Sequence, residues 1–144
     1  IIHGPLQNVI NPKYNLMLPL HYGYLNDLEI PNDYSMGFPE SIGFRAGTGT
    51  SFLFYDINME VTTPLTIHPY VFHTQVCHTG DVVDIENTLN VLISELKKVD
   101  GTFRAVFKNR DFSEYSNPLI LTILCGILIR TLHLPLKSFS KRKR

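Results

Sequence analysis

The sequence lacks several features that would place it in a specialised class of protein. Its 144 residues carry no formal net charge, contain two cysteines, and show neither an internal repeat nor a low-complexity tract. Two cysteines far apart make no disulfide framework and have no metal-type spacing. These absences exclude a disulfide-rich secreted scaffold and a repeat protein. Both thiols are predicted to be free in a reducing compartment, which favours a cytoplasmic location.

The sequence also has no hydrophobic run of membrane-spanning length, and no secretory signal is visible at its start. The longest apolar segment, from Pro118 to Leu132, is shorter than the roughly 20 residues that cross a bilayer, so it is expected to form a buried helix. The chain opens on Ile1 and Ile2 rather than on a positively charged region. The absence of an initiator methionine leads us to expect a cut N-terminus.

The charges are unevenly distributed along the chain. Five of the 13 basic residues occupy the last eight positions, so the rest of the chain is mildly acidic. We predict one globular domain over residues 1–136 and a solvated basic tail over 137–144. The alternative for this end is a membrane-surface anchor running from Leu119 to Arg144. No nucleic-acid partner is expected.

The hydrophobic periodicity predicts an α/β fold. Apolar residues recur at spacings of three and four over residues 84–99, which indicates an amphipathic helix. Asp100 and Gly101 are expected to end it, and the alternation from Thr102 to Phe107 predicts a strand. Helix, tight turn and strand form half of a βαβ unit, so an α/β layer or barrel is favoured. A short helix over 21–28, a strand over 51–57 and a second extended segment over 65–72 are also predicted, with Pro64 between the last two.

The most distinctive stretch consists of five ordered segments. They are DYSMGF at 33–38, IGFRAGT at 42–48, FLFYD at 52–56, TPL at 63–65 and IHPY at 67–70. Arg45 is flanked by phenylalanine and alanine within a glycine-bounded segment, and its rigid guanidinium fork can hold a carboxylate bidentately. From the residues alone, Arg45 either positions a group in an active site or ties down a loop.

In this order, the five segments resemble the distal half of polysaccharide deacetylases of carbohydrate esterase family four. The resemblance spans residues 18–116 and is nearest to a bacterial subgroup of long deacetylase-like proteins. It implies the C-terminal portion of a distorted (β/α) barrel, and metal-assisted hydrolysis of N-acetyl groups on a surface or capsular polysaccharide. The family holds zinc with one aspartate and two histidines, but its Asp-Asp and His-x-x-x-His motifs are absent here. We therefore expect no zinc on this chain.

The resemblance also implies candidate catalytic residues. Arg45 matches the family's arginine that orients the catalytic aspartate, and Asp33 and Asp56 are the nearby carboxylates. Lys108 stands where many relatives carry the general-acid histidine, although a lysine pKa of about 10.4 suits it poorly for proton transfer at neutral pH. The candidate catalytic residues are Arg45, His68 and Lys108.

Substrate contacts are expected from aromatic and acidic residues in the same segments. The candidate substrate-binding residues are Tyr34, Phe54, Tyr55 and Asp56. A metal site formed by His68, His73 and His78 is not expected, since a spacing of five places no pair on one helix face and alternates sides on a strand.

The sequence therefore predicts a fragment or degenerate copy of a metal-dependent polysaccharide N-deacetylase, without hydrolytic activity of its own. The alternative is a non-catalytic carbohydrate-binding or interaction module. In that case aromatic side chains would stack on sugar rings, although most aromatic residues are expected to lie in the core.

Overall fold

A computed structural model describes residues 4–11, 15–78, 82–112, 120, 122–123 and 125–127. The chain divides into two compact units, Ile1–Phe107 and Lys108–Arg144. The first unit contains, in chain order, β1 (Asn8–Val9), α1 (Leu20–Asp27), β2 (Asn32–Asp33), β3 (Phe52–Asp56), β4 (Val61–Ile67), β5 (Phe72–His73), α2 (Val82–Lys98) and β6 (Ala105–Val106). A 3₁₀ helix, Thr74–His78, precedes α2.

The larger sheet has the strand order β1-β2-β4-β3. The first three strands run parallel, and β3 pairs with β4 in the antiparallel direction. Because α1 connects the parallel strands β1 and β2, this part of the chain is a compact βαβ unit. The parallel strands therefore end at one edge of the sheet.

In the second sheet, the helix, turn and strand predicted from the sequence form part of a complete βαβ unit. Strand β6 pairs in parallel with β5, and α2 lies between them along the chain. The strand predicted over 102–107 is shorter than expected, since pairing is confined to Ala105–Val106.

Both helices predicted in this unit are confirmed within a residue or two. Helix α2 buries Ile85, Leu89, Ile93 and Leu96, which all lie on one face. Its end follows the expected mechanism: Asp100 has a φ of 52°, and the Gly101 N–H donates to the Leu96 carbonyl at 2.9 Å. Val99, expected on the apolar face, lies beyond the last helical residue and is 70% exposed.

The prediction that Pro64 separates two extended segments is wrong. Strand β4 runs through Pro64, and its pairing with β3 is irregular between Leu53 and Tyr55. A proline lacks the N–H that a ladder needs, and such an irregularity is where a strand tolerates it. The chain breaks instead around Pro69, between β4 and β5.

The core of the first unit lies between α1 and the larger sheet. It is formed by Leu16, Tyr22, Leu25, Ile30, Met36, Leu65 and Ile67. The described strands form no closed barrel, and the partial (β/α) barrel remains a prediction.

In the second unit, residues 120, 122–123 and 125–127 are helical, and Ile120, Ile123 and Ile127 are buried. The rest of the segment from Pro118 to Leu132 and the basic tail lie outside the described residues. Over the described part of the chain, no helix is long and apolar enough to span a membrane.

Candidate functional site

The candidate site lies where the parallel strands β2 and β4 end. Asp33 is the last residue of β2, and His68 directly follows β4. The His68 N–H donates to the Asp33 carbonyl at 2.8 Å, so the two strand ends are held side by side. We call this region, formed by Asn32, Asp33, Tyr34, Ser35 and His68, the carboxyl edge.

On one face of the carboxyl edge, Asp33 is fully buried with its carboxylate satisfied by neighbours. Its Oδ1 accepts from the Ser35 hydroxyl at 2.7 Å, and its Oδ2 accepts from the Ser35 N–H at 2.9 Å. The Tyr22 hydroxyl on α1 donates to Oδ2 at 3.4 Å. Burial and the neighbouring Asp33 charge raise the pKa of Tyr22 well above its usual value, so its hydroxyl stays protonated as a donor.

On the other face, four half-buried side chains form a continuous chain of hydrogen bonds. Arg104 Nη2 donates to Ser51 Oγ at 2.8 Å, Ser51 Oγ lies 2.8 Å from His68 Nδ1, and His68 Nε2 lies 2.9 Å from Asn32 Oδ1. We call Arg104, Ser51, His68 and Asn32 the Ser51 relay. Tyr34 stacks on His68 with ring centroids 4.4 Å apart and the planes at 11°.

The hydrogen bonds of Asn32 determine which atoms of the Ser51 relay donate and which accept. Asn32 uses its Nδ2 to donate to the Gln7 carbonyl at 2.9 Å, which leaves Oδ1 to accept from His68. His68 Nε2 therefore carries the proton, and neutral His68 accepts the Ser51 hydroxyl at Nδ1. Burial, followed by the Arg104 charge, lowers the pKa of His68, while Asp33 acts in the opposite direction. These effects favour the neutral imidazole that the relay requires.

Arg45 lies in a tight turn rather than in an ion pair with either expected carboxylate. The Gly47 N–H closes the turn on the Phe44 carbonyl at 3.0 Å, and Gly47 adopts a φ of 70°. The Arg45 guanidinium carbon lies 6.0 Å from the centre of the Phe38 ring. Within the described residues Arg45 makes no ion pair with Asp33 or Asp56, and its role in positioning a catalytic group stays a prediction. Its charge does lower the pKa of Tyr22, opposing the effect of Asp33.

The four candidate substrate-binding residues do not lie together. Tyr34 belongs to the carboxyl edge, whereas Phe54 packs edge-on against Tyr22 at 5.1 Å beside the core. Tyr55 is 51% exposed, and the Asp56 carboxylate caps the turn after β3 by accepting from the Asn58 N–H at 2.8 Å. Tyr55 pairs with Thr62, five residues before Ile67, which is roughly 15 Å along the strand from the carboxyl edge.

Lys108 belongs to the second unit. Its N–H donates to Asp111 Oδ2 at 2.7 Å, within the 3₁₀ turn Asn109–Phe112. This contact concerns the backbone of Lys108 and leaves its predicted catalytic role untested.

The donor set of the described residues does not fit a zinc site. No group of three or more His, Cys, Asp or Glu side chains in those ranges could hold a metal ion. Both ring nitrogens of His68 are engaged by Ser51 and Asn32, and His73 Nδ1 accepts from the Gln75 N–H at 2.9 Å. We therefore derive no step through zinc.

Three relay residues were not identified from the sequence. Asn32 and Ser51 lie one residue from segments that were singled out, and they line up with His68 once the strand register is known. Arg104 lies 53 positions from Ser51 and reaches it because β6 joins the second sheet. The alternating pattern around Arg104 predicts a strand, but it does not indicate that the Arg104 side chain contacts Ser51.

Comparison with known proteins identifies no relative. No family model matches the chain, and no curated protein or solved structure matches it either.

Proposed function

We propose that the chain is part of a polysaccharide deacetylase-like domain and that its carboxyl edge binds a polysaccharide. The observation that carries the proposal is the convergence of Asp33, Tyr34 and His68 at the ends of the parallel strands β2 and β4. In α/β folds this is the edge at which ligands bind. The five ordered sequence segments support the same family, and two of them, at 33–38 and 67–70, supply this edge.

The chemistry of the edge suits a neutral sugar. Asn32, Tyr34 and Ser51 are half-buried and together carry hydrogen-bond donors and acceptors, which hydroxyl and acetamido groups require. The intact family hydrolyses N-acetyl groups with zinc. Because the described donor set does not fit zinc, the role proposed for the carboxyl edge is polysaccharide binding without zinc-dependent N-deacetylation.

Binding can be tested with an oligomer of N-acetylglucosamine in a calorimetric titration of the whole chain. We expect measurable binding, and we expect Tyr34→Ala to weaken it about fivefold, since an aromatic contact contributes about 1 kcal/mol. Tyr24→Ala is the matched control because Tyr24 is an exposed tyrosine on α1. Absence of binding to this oligomer and to a panel of bacterial glycans would reject the proposal.

The second candidate function is a non-catalytic carbohydrate-binding module that binds sugar away from the carboxyl edge, and one observation favours it. Tyr55 is exposed on β3, which is an edge strand of the larger sheet and far from the carboxyl edge. If Tyr55 forms the sugar platform, Tyr55→Ala will abolish glycan binding and Tyr34→Ala will leave it unchanged. The same titration therefore separates the two candidates.

A further inference from the structure

Ser51 and His68 have the geometry of a nucleophile and its base. The serine hydroxyl lies 2.8 Å from His68 Nδ1, and Asn32 orients the imidazole through Nε2 at 2.9 Å. A nucleophile, a base within hydrogen-bond reach and a third group that orients the base are the signature of covalent catalysis. We propose that Ser51 is a nucleophile for acyl transfer, that His68 is its general base, and that the substrate is a carboxylic ester. This activity goes beyond glycan binding and does not depend on it.

The reaction needs only the ester and water. Ser51 Oγ attacks the carbonyl carbon, a new Oγ–C bond forms, and the hydroxyl proton passes to His68 Nδ1. Collapse of the tetrahedral intermediate breaks the bond to the alcohol, which takes that proton from His68. Water then attacks the acyl-serine with His68 again as base, which releases the carboxylic acid and restores the Ser51 hydroxyl.

The third group of the relay favours an ester over an amide. A carboxylate beside the imidazole would stabilise the imidazolium that forms during the reaction, but Asn32 is neutral. The positive charge of Arg104 further disfavours that imidazolium. A base restricted in this way suits an acyl group with a good leaving group, and esters have better leaving groups than amides.

Arg104 acts as a positioning residue in this scheme. Its Nη2 donates to Ser51 Oγ at 2.8 Å, which directs the hydroxyl proton towards His68 and stabilises negative charge that develops on the oxygen. Its Nη1 is buried and has no hydrogen-bond acceptor among the described residues. Buried donors are rarely left in this state, and the oxyanion of a tetrahedral intermediate would satisfy it.

The state of His68 agrees with a role as base. Its pKa lies below the usual value because of burial and because of Arg104, so Nδ1 carries a free electron pair at neutral pH. The other groups that face His68 are Asp33, whose charge acts in the opposite direction, and the ring of Tyr34.

The test uses a fluorophosphonate reagent on the whole chain, with the adduct mapped by mass spectrometry and hydrolysis of p-nitrophenyl acetate followed in parallel. We expect the adduct on Ser51, with a labelling rate that rises with pH through the His68 pKa. His68→Asn should slow labelling by about 100-fold, the typical contribution of a general base. Ser41→Ala, which removes an exposed serine outside the relay, should leave the rate unchanged.

Absence of an adduct on Ser51 would overturn the proposal, as would equal rates for Ser51 and the other serines. Equal labelling of wild type and His68→Asn, with both folded by circular dichroism, would also overturn it. The reagent carries no sugar, so a failure of glycan binding leaves this result unaffected.

Discussion

The two faces of the carboxyl edge use polar residues in opposite ways. Asn32 and Asp33 are neighbours in β2, and successive strand residues point to opposite faces. Asp33 is fully buried, and its oxygens are taken up by Ser35 and Tyr22. Asn32 instead orients His68 in a half-exposed relay. A polar residue at such an edge can thus stabilise the core instead of contacting a ligand. We expect the stability of the fold to depend on Asp33 and the reactivity of the site to depend on Ser51.

The largest expected effect comes from removing the buried carboxylate. Asp33→Ala leaves three buried donors without an acceptor, two on Ser35 and one on Tyr22. We expect the free energy of unfolding to fall by about 3 kcal/mol, since these are hydrogen bonds to a charged group. Urea denaturation measures this loss.

Asp56→Ala is the matched control for that substitution. Asp56 also accepts from backbone N–H groups, at Asn58 and Met59, but it does so in an exposed turn where water can replace it. A loss below about 1 kcal/mol is expected there. If the two variants lose the same stability, the structural role of Asp33 is wrong.

A second, smaller effect is expected from the loop that follows Asp33. A Cβ at Gly37 would lie 2.5 Å from ring atoms of Tyr70, which is 1% exposed and cannot swing outwards. Gly37→Ala should therefore cost about 2 kcal/mol through overpacking. In Gly23→Ala the added Cβ meets nothing within 4 Å, and alanine is a better helix former than the glycine it replaces within α1. Melting temperatures should shift in opposite directions, and a shared direction would contradict the packing around Tyr70.

On the opposite face, Ser51→Ala should cost little stability. Its partners, Arg104 Nη2 and His68 Nδ1, are half-buried side chains, so the loss is expected to be below about 1 kcal/mol in urea denaturation. This loss in the free energy of unfolding should be much smaller than the loss in Asp33→Ala. A loss above about 2.5 kcal/mol would show that the relay is a structural element of the core.

The elements of the fold that could be predicted from the sequence are those determined by residues close together in the chain. The helix over 84–99 and its stop at Asp100 and Gly101 were predictable, because periodicity and turn chemistry act within a few residues. The same local signals predicted the strand that follows this helix, and thus half of a βαβ unit, whereas its parallel pairing with β5 joins residues more than 30 positions apart. Strand β4 through Pro64 was missed, since the irregular pairing that accommodates the proline depends on β3.

The candidate site was predictable to a smaller extent. His68 and Tyr34 were identified from the segments that carry them, but their stacking and the roles of Ser51 and Arg104 depend on register and on the second sheet. Phe54 and Tyr55 could not be separated by sequence, because neighbouring strand residues face opposite sides and the buried side was unknown.

The smallest expected effect concerns the charge beside His68. Arg104→Gln removes a positive charge that lowers the pKa of His68, so the NMR titration midpoint of its ring protons should move upward. Arg104→Lys is the control because it keeps the charge, and its midpoint should stay close to that of the wild type.

The same titration has a consequence for stability. A histidine whose folded pKa lies below its unfolded value of about 6.5 binds fewer protons when folded, so the free energy of unfolding falls as pH drops through 6.5 towards the folded pKa. In Arg104→Gln the folded pKa of His68 rises while its unfolded pKa stays the same. The pH range between these two pKa values, over which stability changes, therefore becomes narrower. Stability of the variant should therefore depend less on pH below 6.5 than that of the wild type. An unchanged pH dependence together with an unchanged His68 midpoint would mean that Arg104 does not act on His68, and the relay would then lose its electrostatic link between the two sheets.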